Sequence, residues 1–132
     1  RIFDQKLELL KEFVKRDISL SNIKLLIYND KEKNKSTSNE PVFSLKSFDW
    51  NGEVIGKELK NFVKQDFDLL VNYFENPNVA ILYASYVTNA AFRVGFDAND
   101  KKYNDIIIKT SVSDYELFTA ELFRYLKILN KI

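Results

Sequence analysis

The stretch V-A-I-L-Y-A-S-Y-V (79–87) constrains the fold more than any other part of the chain. It is apolar at odd and even positions alike, so both faces of an extended segment would need to be covered. The pattern therefore predicts a central strand of a sheet. Residues 90–97 alternate as a strand after a short link, and the two segments predict a β-hairpin. D-I-I-I-K-T (105–110) is predicted as the last strand.

Two further strands and three helices complete the predicted elements. I-K-L-L-I-Y (23–28) and V-F-S-L-K-S-F-D-W (42–50) are predicted strands. The connector between them, residues 30–41, holds no large apolar residue, so we expect a mobile loop there. Amphipathic periodicity predicts helices over 2–18, 56–75 and 113–132.

The predicted order is α-β-β-α-β-β-β-α, in a single domain that spans residues 1–132. Consecutive strands with short links favour an antiparallel sheet of about five strands with helices packed on it, an α+β fold. This order is similar to the topology of the roadblock and longin-like families, small α/β modules used in dimers and as scaffolds for GTPase regulation and trafficking. PAS-like sensory and other small α+β domains stay open as alternatives. Because Arg1 and not methionine opens the chain, we expect a fragment of a longer protein.

Composition narrows the chemistry that the chain can perform. It has neither cysteine nor histidine, which removes thiolate chemistry and the commonest general base and metal ligand. With 20 basic and 19 acidic residues, the net charge of +1 creates no overall field that would attract nucleic acid. No run approaches the roughly 18 consecutive apolar residues that predict a membrane span. We therefore expect a protein partner or a second copy, and neither a cofactor nor a metal.

Residues 47–59 contain two of the three glycines, Gly52 and Gly56, ahead of a lysine. A phosphate-binding loop requires four residues between its glycines and a hydroxyl after the lysine. Here the glycines are separated by three residues, and Glu58 replaces the hydroxyl. The pair Asn51-Gly52 instead predicts a tight turn, because both residue types tolerate positive φ.

The aromatic pair Phe48 and Trp50 precedes this turn. In a strand these two side chains fall on the face opposite to that of Phe43 and Leu45. Either both faces of the strand are covered, or the strand shifts phase through a bulge. An exposed Trp50 would be the first candidate for a partner contact, because aromatic anchors dominate interfaces.

The first predicted helix carries a stripe of Phe3, Leu7, Leu10 and Val14, at spacings of four, three and four. A helix with this pattern packs its stripe on its own domain, or it forms a dimer seam or the end of a longer coiled coil. We expect interface contacts from these four residues and from the pair of aromatics before the turn.

Asp66 does not fit the apolar pattern of the second predicted helix. On a helical wheel it falls within the apolar arc, between Phe62 and Leu70. Burying an unpaired carboxylate is unfavourable or raises its pKa. Asp66 is therefore expected to have an internal partner, to lie at the edge of the arc near water, or to face a polar site. The candidate partners for an ion pair are Arg93, in a predicted strand, and a lysine, and Asp66 and Arg93 together are the residues of the candidate polar site.

These observations predict a non-catalytic protein–protein interaction or scaffold domain, self-associating or part of a complex, with no catalytic residue. The alternative is a metal-dependent nuclease or another nucleic-acid-acting enzyme that uses oxygen ligands. Such an enzyme would need a convergent carboxylate cluster around Asp49, Asp66 or Asp97. A large apolar surface would favour the interaction domain.

Overall fold

The computed structural model describes residues 2–28, 42–74, 78–96 and 104–131. Their order is α-β-β-α-β-β-α-β-β-β-α, so the chain has a mixed α+β fold. The helices are α1 (Ile2–Lys15), α2 (Lys57–Val63), α3 (Val79–Val87) and α4 (Tyr115–Ile128). The strands are β1 (Ile27–Tyr28), β2 (Val42–Phe43), β3 (Asp66–Phe67), β4 (Leu70–Val71), β5 (Asn89–Ala90), β6 (Arg93–Gly95) and β7 (Ile106–Ile107). No helix among these residues is long and apolar enough to cross a membrane. The predicted loop at 30–41 lies outside the described residues.

The described strands pair in parallel, in sheets of two or three. β1 pairs with β2, β3 with β5, and β6 with β7 in parallel register. β4 completes a sheet of order β4-β6-β7. There the Leu70 N–H donates to the Phe92 carbonyl at 2.9 Å and the Asn72 N–H to the Val94 carbonyl at 2.8 Å. Both strands advance by two residues in the same direction, as parallel neighbours do.

The predicted antiparallel sheet of about five strands is therefore not confirmed. For the pairs β3–β5 and β4–β6, the physical reason is the segment that joins the two strands. α3 lies between β3 and β5 in the chain, and also between β4 and β6. A helical crossover of this kind brings the strands on either side of it into parallel alignment. The order of elements that resembled the roadblock and longin-like families is not the order observed.

Residues 79–87, predicted as a central strand, form α3. Asn78 caps its start, because its Oδ1 accepts from the Ile81 N–H at 2.9 Å. At the other end, the Thr88 Oγ1 donates to the Ala84 carbonyl at 2.7 Å. Periodicity alone cannot distinguish a buried strand from a buried helix in so short an apolar run. The polar cap and the alanines favour the helix, and the hairpin predicted from this segment is wrong.

The second helix, predicted over 56–75, ends at Val63. β3 and β4 follow, and the Phe67 ring returns to pack on Phe62 with ring centroids 5.0 Å apart. This contact and the pairing of β3 with β5 outweigh the helical periodicity of the segment. The helical wheel that placed Asp66 in an apolar arc therefore does not apply.

The described residues divide into two compact units. Unit 1 takes in the described parts of 1–24, 71–75 and 93–132, and it contains α1, α4 and the pair of β6 and β7. Unit 2 takes in the described parts of 25–70 and 76–92, with α2 and α3. Each unit has its own core. The prediction of one domain stays a prediction, because a domain can contain more than one such unit.

The core of unit 1 surrounds Phe118, which has no exposed surface. The Tyr73 ring meets Phe118 and Phe96 edge to face, with centroids 5.0 and 4.7 Å apart. Its hydroxyl donates to the Val112 carbonyl at 2.6 Å. Burial raises the pKa of Tyr73 above its usual value, so the hydroxyl remains a neutral donor. The other buried apolar residues of this unit are Phe13, Val94, Ile106, Ile108, Leu122, Phe123 and Leu126.

The core of unit 2 joins α2, α3 and β2. Leu59 of α2, Ala80 and Ala84 of α3, and Phe43 of β2 are all buried in it. The two alanines lie four residues apart and so occupy one face of α3. This small face lets α3 lie close to the rest of the unit. The partly buried residues around this core are Leu26, Tyr28, Phe48, Val54, Val63 and Ile81.

Candidate functional site

Residues 48–54 form a tight turn that Asp49 holds together. Its Oδ1 accepts from the N–H groups of Asn51 and Glu53, both at 2.9 Å. The Asp49 N–H donates to the Glu53 carbonyl, and the Gly52 N–H donates to the Asp49 carbonyl, again at 2.9 Å. Gly52 has a φ of 85°, a conformation that glycine adopts without steric cost. The predicted tight turn is confirmed.

Trp50 lies on this turn and is 93% exposed. Phe48, in contrast, is half-buried, and its ring meets Tyr83 edge to face with centroids 5.4 Å apart. A 3-10 helix at Leu45–Ser47 separates Phe48 from the buried Phe43. This short helix interrupts the alternation of side chains along the strand. Phe48 therefore does not follow the face pattern that begins at Phe43.

Helix α3 presents an apolar face to solvent. Val79, Tyr83 and Tyr86 follow one another at spacings of four and three and are all exposed. The rings of Tyr83 and Tyr86 stack with centroids 6.2 Å apart. The turn lies beside this face, because a Cβ built on Gly52 would be 4.0 Å from the Tyr83 hydroxyl. We call Trp50, Val79, Tyr83 and Tyr86 the α3–Trp50 surface.

The α3–Trp50 surface is neutral and large. None of its four residues is an aspartate, glutamate, lysine or arginine. Trp50, Tyr86 and Tyr83 are 93, 67 and 38% exposed, which at ~200 Å² per aromatic side chain amounts to about 400 Å². The largest apolar patch of an ordinary monomer measures about 300–600 Å² and is often functional. By size, therefore, this surface is a candidate binding site.

Sequence reasoning identified Trp50 but missed Val79, Tyr83 and Tyr86. In a strand, residues 79 and 83 would face one side and residue 86 the other, so no shared surface was expected. The signal that could have found them is Asn78, a helix-capping residue directly before an apolar run. With a helix assumed from that cap, the three residues fall on one face.

The described residues of the predicted α1 stripe differ in their exposure to solvent. Phe13, next to that stripe in sequence, is the buried residue, and its ring lies 5.9 Å from that of Phe123 in α4. Leu7 and Val14 are exposed and Leu10 is half-buried. The side chain of Phe3 lies outside the described residues. Packing of α1 on α4 therefore uses Phe13 and leaves Leu7 and Val14 in contact with solvent.

The candidate polar residues Asp66 and Arg93 fall in different units. Asp66 is exposed on β3, and its carboxylate accepts from the Asn89 side-chain amide. Arg93 lies on β6, where its backbone N–H donates to Asp105 Oδ2 at 2.8 Å. Asp66 therefore has a polar partner within unit 2, and solvent reaches its carboxylate.

The described residues form no cluster of three or more acidic side chains placed to hold a metal ion. The Asp49 carboxylate accepts two backbone N–H groups of its own turn. Asp97, the third acid considered for the alternative enzyme, lies outside the described residues. The carboxylates of Asp49 and Asp66 are thus engaged locally, in a turn and in a contact between strands.

Comparison with protein families places this chain in one of them. A family model with the description "Family of unknown function (DUF6913)" matches residues 2–129. The matched range contains both Trp50 and α3. Searches among curated proteins and among solved structures found no match.

Proposed function

The chain belongs to this family of unknown function, DUF6913, and we propose that it is a non-catalytic protein–protein interaction domain, a scaffold or subunit of a complex. Its partner binds the α3–Trp50 surface. The observation that supports this most directly is the 93% exposure of Trp50, the single tryptophan, on a turn that hydrogen bonds hold in place.

An exposed tryptophan on a well-ordered turn suits an interface anchor. Burying ~200 Å² of its surface against a partner contributes about 4–5 kcal/mol before the costs of association are subtracted. The turn is already ordered by the Asp49 carboxylate, so binding would lose less conformational entropy than it would with a flexible loop. Tryptophan and tyrosine are also the residue types most enriched in binding hot spots.

The other predicted interface residues do not contact the partner directly in this proposal. Phe48 packs against Tyr83 and so supports the surface from inside unit 2. Leu7 and Val14 of α1 offer a smaller exposed apolar pair in unit 1. Two aliphatic side chains make a smaller contact than three aromatic ones, so we place the principal contact in unit 2.

The experiment compares partner capture by matched variants in cells that express the protein naturally. The wild-type chain, a Trp50→Ala/Tyr86→Ala variant and a Leu7→Ala/Val14→Ala control each carry the same tag. We expect proteins that the wild type and the control retain to be lost from the Trp50/Tyr86 variant. Thermal melts of the purified variants establish that each one is folded. Equal recovery of every protein by all three chains would contradict the proposal.

A further inference from the structure

We propose that the occupant of the α3–Trp50 surface is a second copy of this chain, so that the protein forms a two-fold dimer whose α3 helices face each other. This inference rests on the proposed interaction function and names its partner. Three properties of the surface support it: its charge, the composition of α3 and the available area.

The first property is neutrality. In a two-fold dimer the same surface lies on both sides of the interface, so residues near the axis face their own copies. A charged residue there would face a like charge, which is unfavourable. Val79–Val87 contains no charged residue at all, and Trp50 is neutral as well. Asn51 and Asn78, which flank the surface in sequence, are exposed amides suited to a polar rim. The turn also carries the acids Asp49 and Glu53, so the proposed two-fold axis passes nearer α3 than the turn, which keeps each acid away from its own copy.

The second property is the apolar character of α3 on all sides. A helix of this kind is normally buried all round in a core. Here unit 2 covers Ala80, Ala84 and Ser85 and partly covers Ile81, while Val79 and Tyr86 are 76 and 67% exposed and Tyr83 is 38% exposed. Homodimer interfaces resemble a domain core divided in two. A second α3 would supply the missing half.

The third property is area. The three aromatic side chains expose about 400 Å², and Val79, which is 76% exposed, adds to them. Specific interfaces bury at least about 600 Å² on each partner. The surface therefore supplies the apolar centre of such an interface, and the asparagine rim needs to contribute only the remainder. This arrangement of an aromatic centre inside a polar rim is the usual anatomy of a protein interface.

The first experiment measures the mass of the purified chain by light scattering across a dilution series. We expect a concentration-dependent dimer. Trp50→Ala/Tyr86→Glu should raise its Kd by roughly 30-fold or more, the effect of losing a hot spot of at least about 2 kcal/mol. Leu7→Glu/Val14→Glu is the matched control, since it also replaces two exposed apolar residues, and its Kd should equal that of the wild type. Circular dichroism verifies that both variants are folded.

A second experiment tests which positions of the two copies lie close together, and it introduces no charge into the interface. The chain has no cysteine, so Val79→Cys, Tyr83→Cys and Tyr86→Cys each introduce a single thiol. Oxidation links the two chains at a position where the dimer brings the Cα atoms of the two equivalent residues within about 7 Å of each other. We expect a disulfide-linked dimer from at least one of the three variants, and none from Leu7→Cys under the same conditions.

Several results would overturn the dimer. A wild-type monomer at every concentration would do so, as would a dimer that only the α1 control dissociates. A blue shift of Trp50 fluorescence that requires vesicles of anionic lipid would identify a membrane surface as the occupant instead. If the purified chain is monomeric while partner capture still depends on Trp50 and Tyr86, the interaction function stands and the second copy is wrong. The two proposals therefore fail separately.

Discussion

Substitution of Gly95 by alanine should destabilise unit 1, because the space for a Cβ is already occupied. A Cβ at this position would lie 2.5 Å from Asn104 Nδ2 and 2.9 Å from its Cγ. These distances are shorter than van der Waals contact, so the Asn104 side chain would have to move. Its Oδ1 accepts from Asn72 Nδ2 at 2.7 Å, and Asn72 is buried. The displacement would therefore break a hydrogen bond in a largely buried location.

The expected magnitude follows from two opposing effects of Gly95→Ala. Loss of the bond between Asn72 and Asn104 costs about 1–3 kcal/mol, since a buried amide loses a partner. The lower conformational entropy of the unfolded chain returns about 0.4–1 kcal/mol, because the φ of Gly95 is not positive and alanine can adopt it. We expect the free energy of unfolding to fall by about 1–2 kcal/mol.

A double-mutant cycle measured by urea unfolding tests this reasoning. Asn104→Ala removes the atoms that the new Cβ would meet, so Gly95→Ala should cost little in that background. The interaction energy between the two substitutions should then account for most of the single-mutant loss. An equal loss from Gly95→Ala with and without Asn104 would show that the close approach is not the cause. A neutral Gly95→Ala would refute the packing argument altogether.

Four further substitutions test the surface, the core of unit 2, the turn and an ion pair. Trp50→Ala should change the free energy of urea unfolding by no more than about 0.5 kcal/mol, as substitutions at other exposed sites do. Leu59→Ala in the core of unit 2 should lower it by about 2–5 kcal/mol. Similar losses from both substitutions would contradict the exposed position of Trp50. Asp49→Ala should lower the free energy of unfolding by about 1–2 kcal/mol and lower the fluorescence anisotropy of Trp50, and an unchanged anisotropy would show that the turn is rigid without Asp49. Burial raises the pKa of Glu12, but hydrogen bonds from Arg16 and Lys15 outweigh it and hold the pKa below 4.5. Glu12 therefore stabilises the fold above pH 4.5, and this contribution disappears as the pH falls through its lowered pKa. Glu12→Gln should flatten the acid limb of a plot of stability against pH, and an unaltered limb would contradict the assignment.

Local signals in the sequence predicted local structure well. Asn51-Gly52 produced the tight turn, and the last helix, predicted over 113–132, begins at Tyr115. In the structure Asp114 caps α4, with its Oδ1 accepting from the Leu117 N–H at 3.1 Å. These features depend on hydrogen bonds between residues a few positions apart, so the chain carries all the necessary information within a short window.

The arrangement of larger elements could not be predicted in the same way. Residues 79–87 are compatible with a buried strand or a helix, and residues 64–75 extend a helical pattern that the structure replaces with β3 and β4. The pairing of β3 with β5 joins segments more than twenty residues apart. Such contacts override weak local preferences, and a single sequence does not reveal them.

The candidate surface illustrates the same division. Sequence alone determined that Trp50 stands beside a tight turn and that the chain lacks the histidine and cysteine that many enzymes use. Only the tertiary structure decided that Trp50 is exposed, that α3 is a helix, and that its tyrosines share one face with the turn. The physical reason is that hydrogen bonds between near neighbours are encoded locally, whereas exposure depends on which distant segments cover a side chain. For α3 the covering segments reach Ala80 and Ala84 and leave Tyr83 and Tyr86 open to solvent.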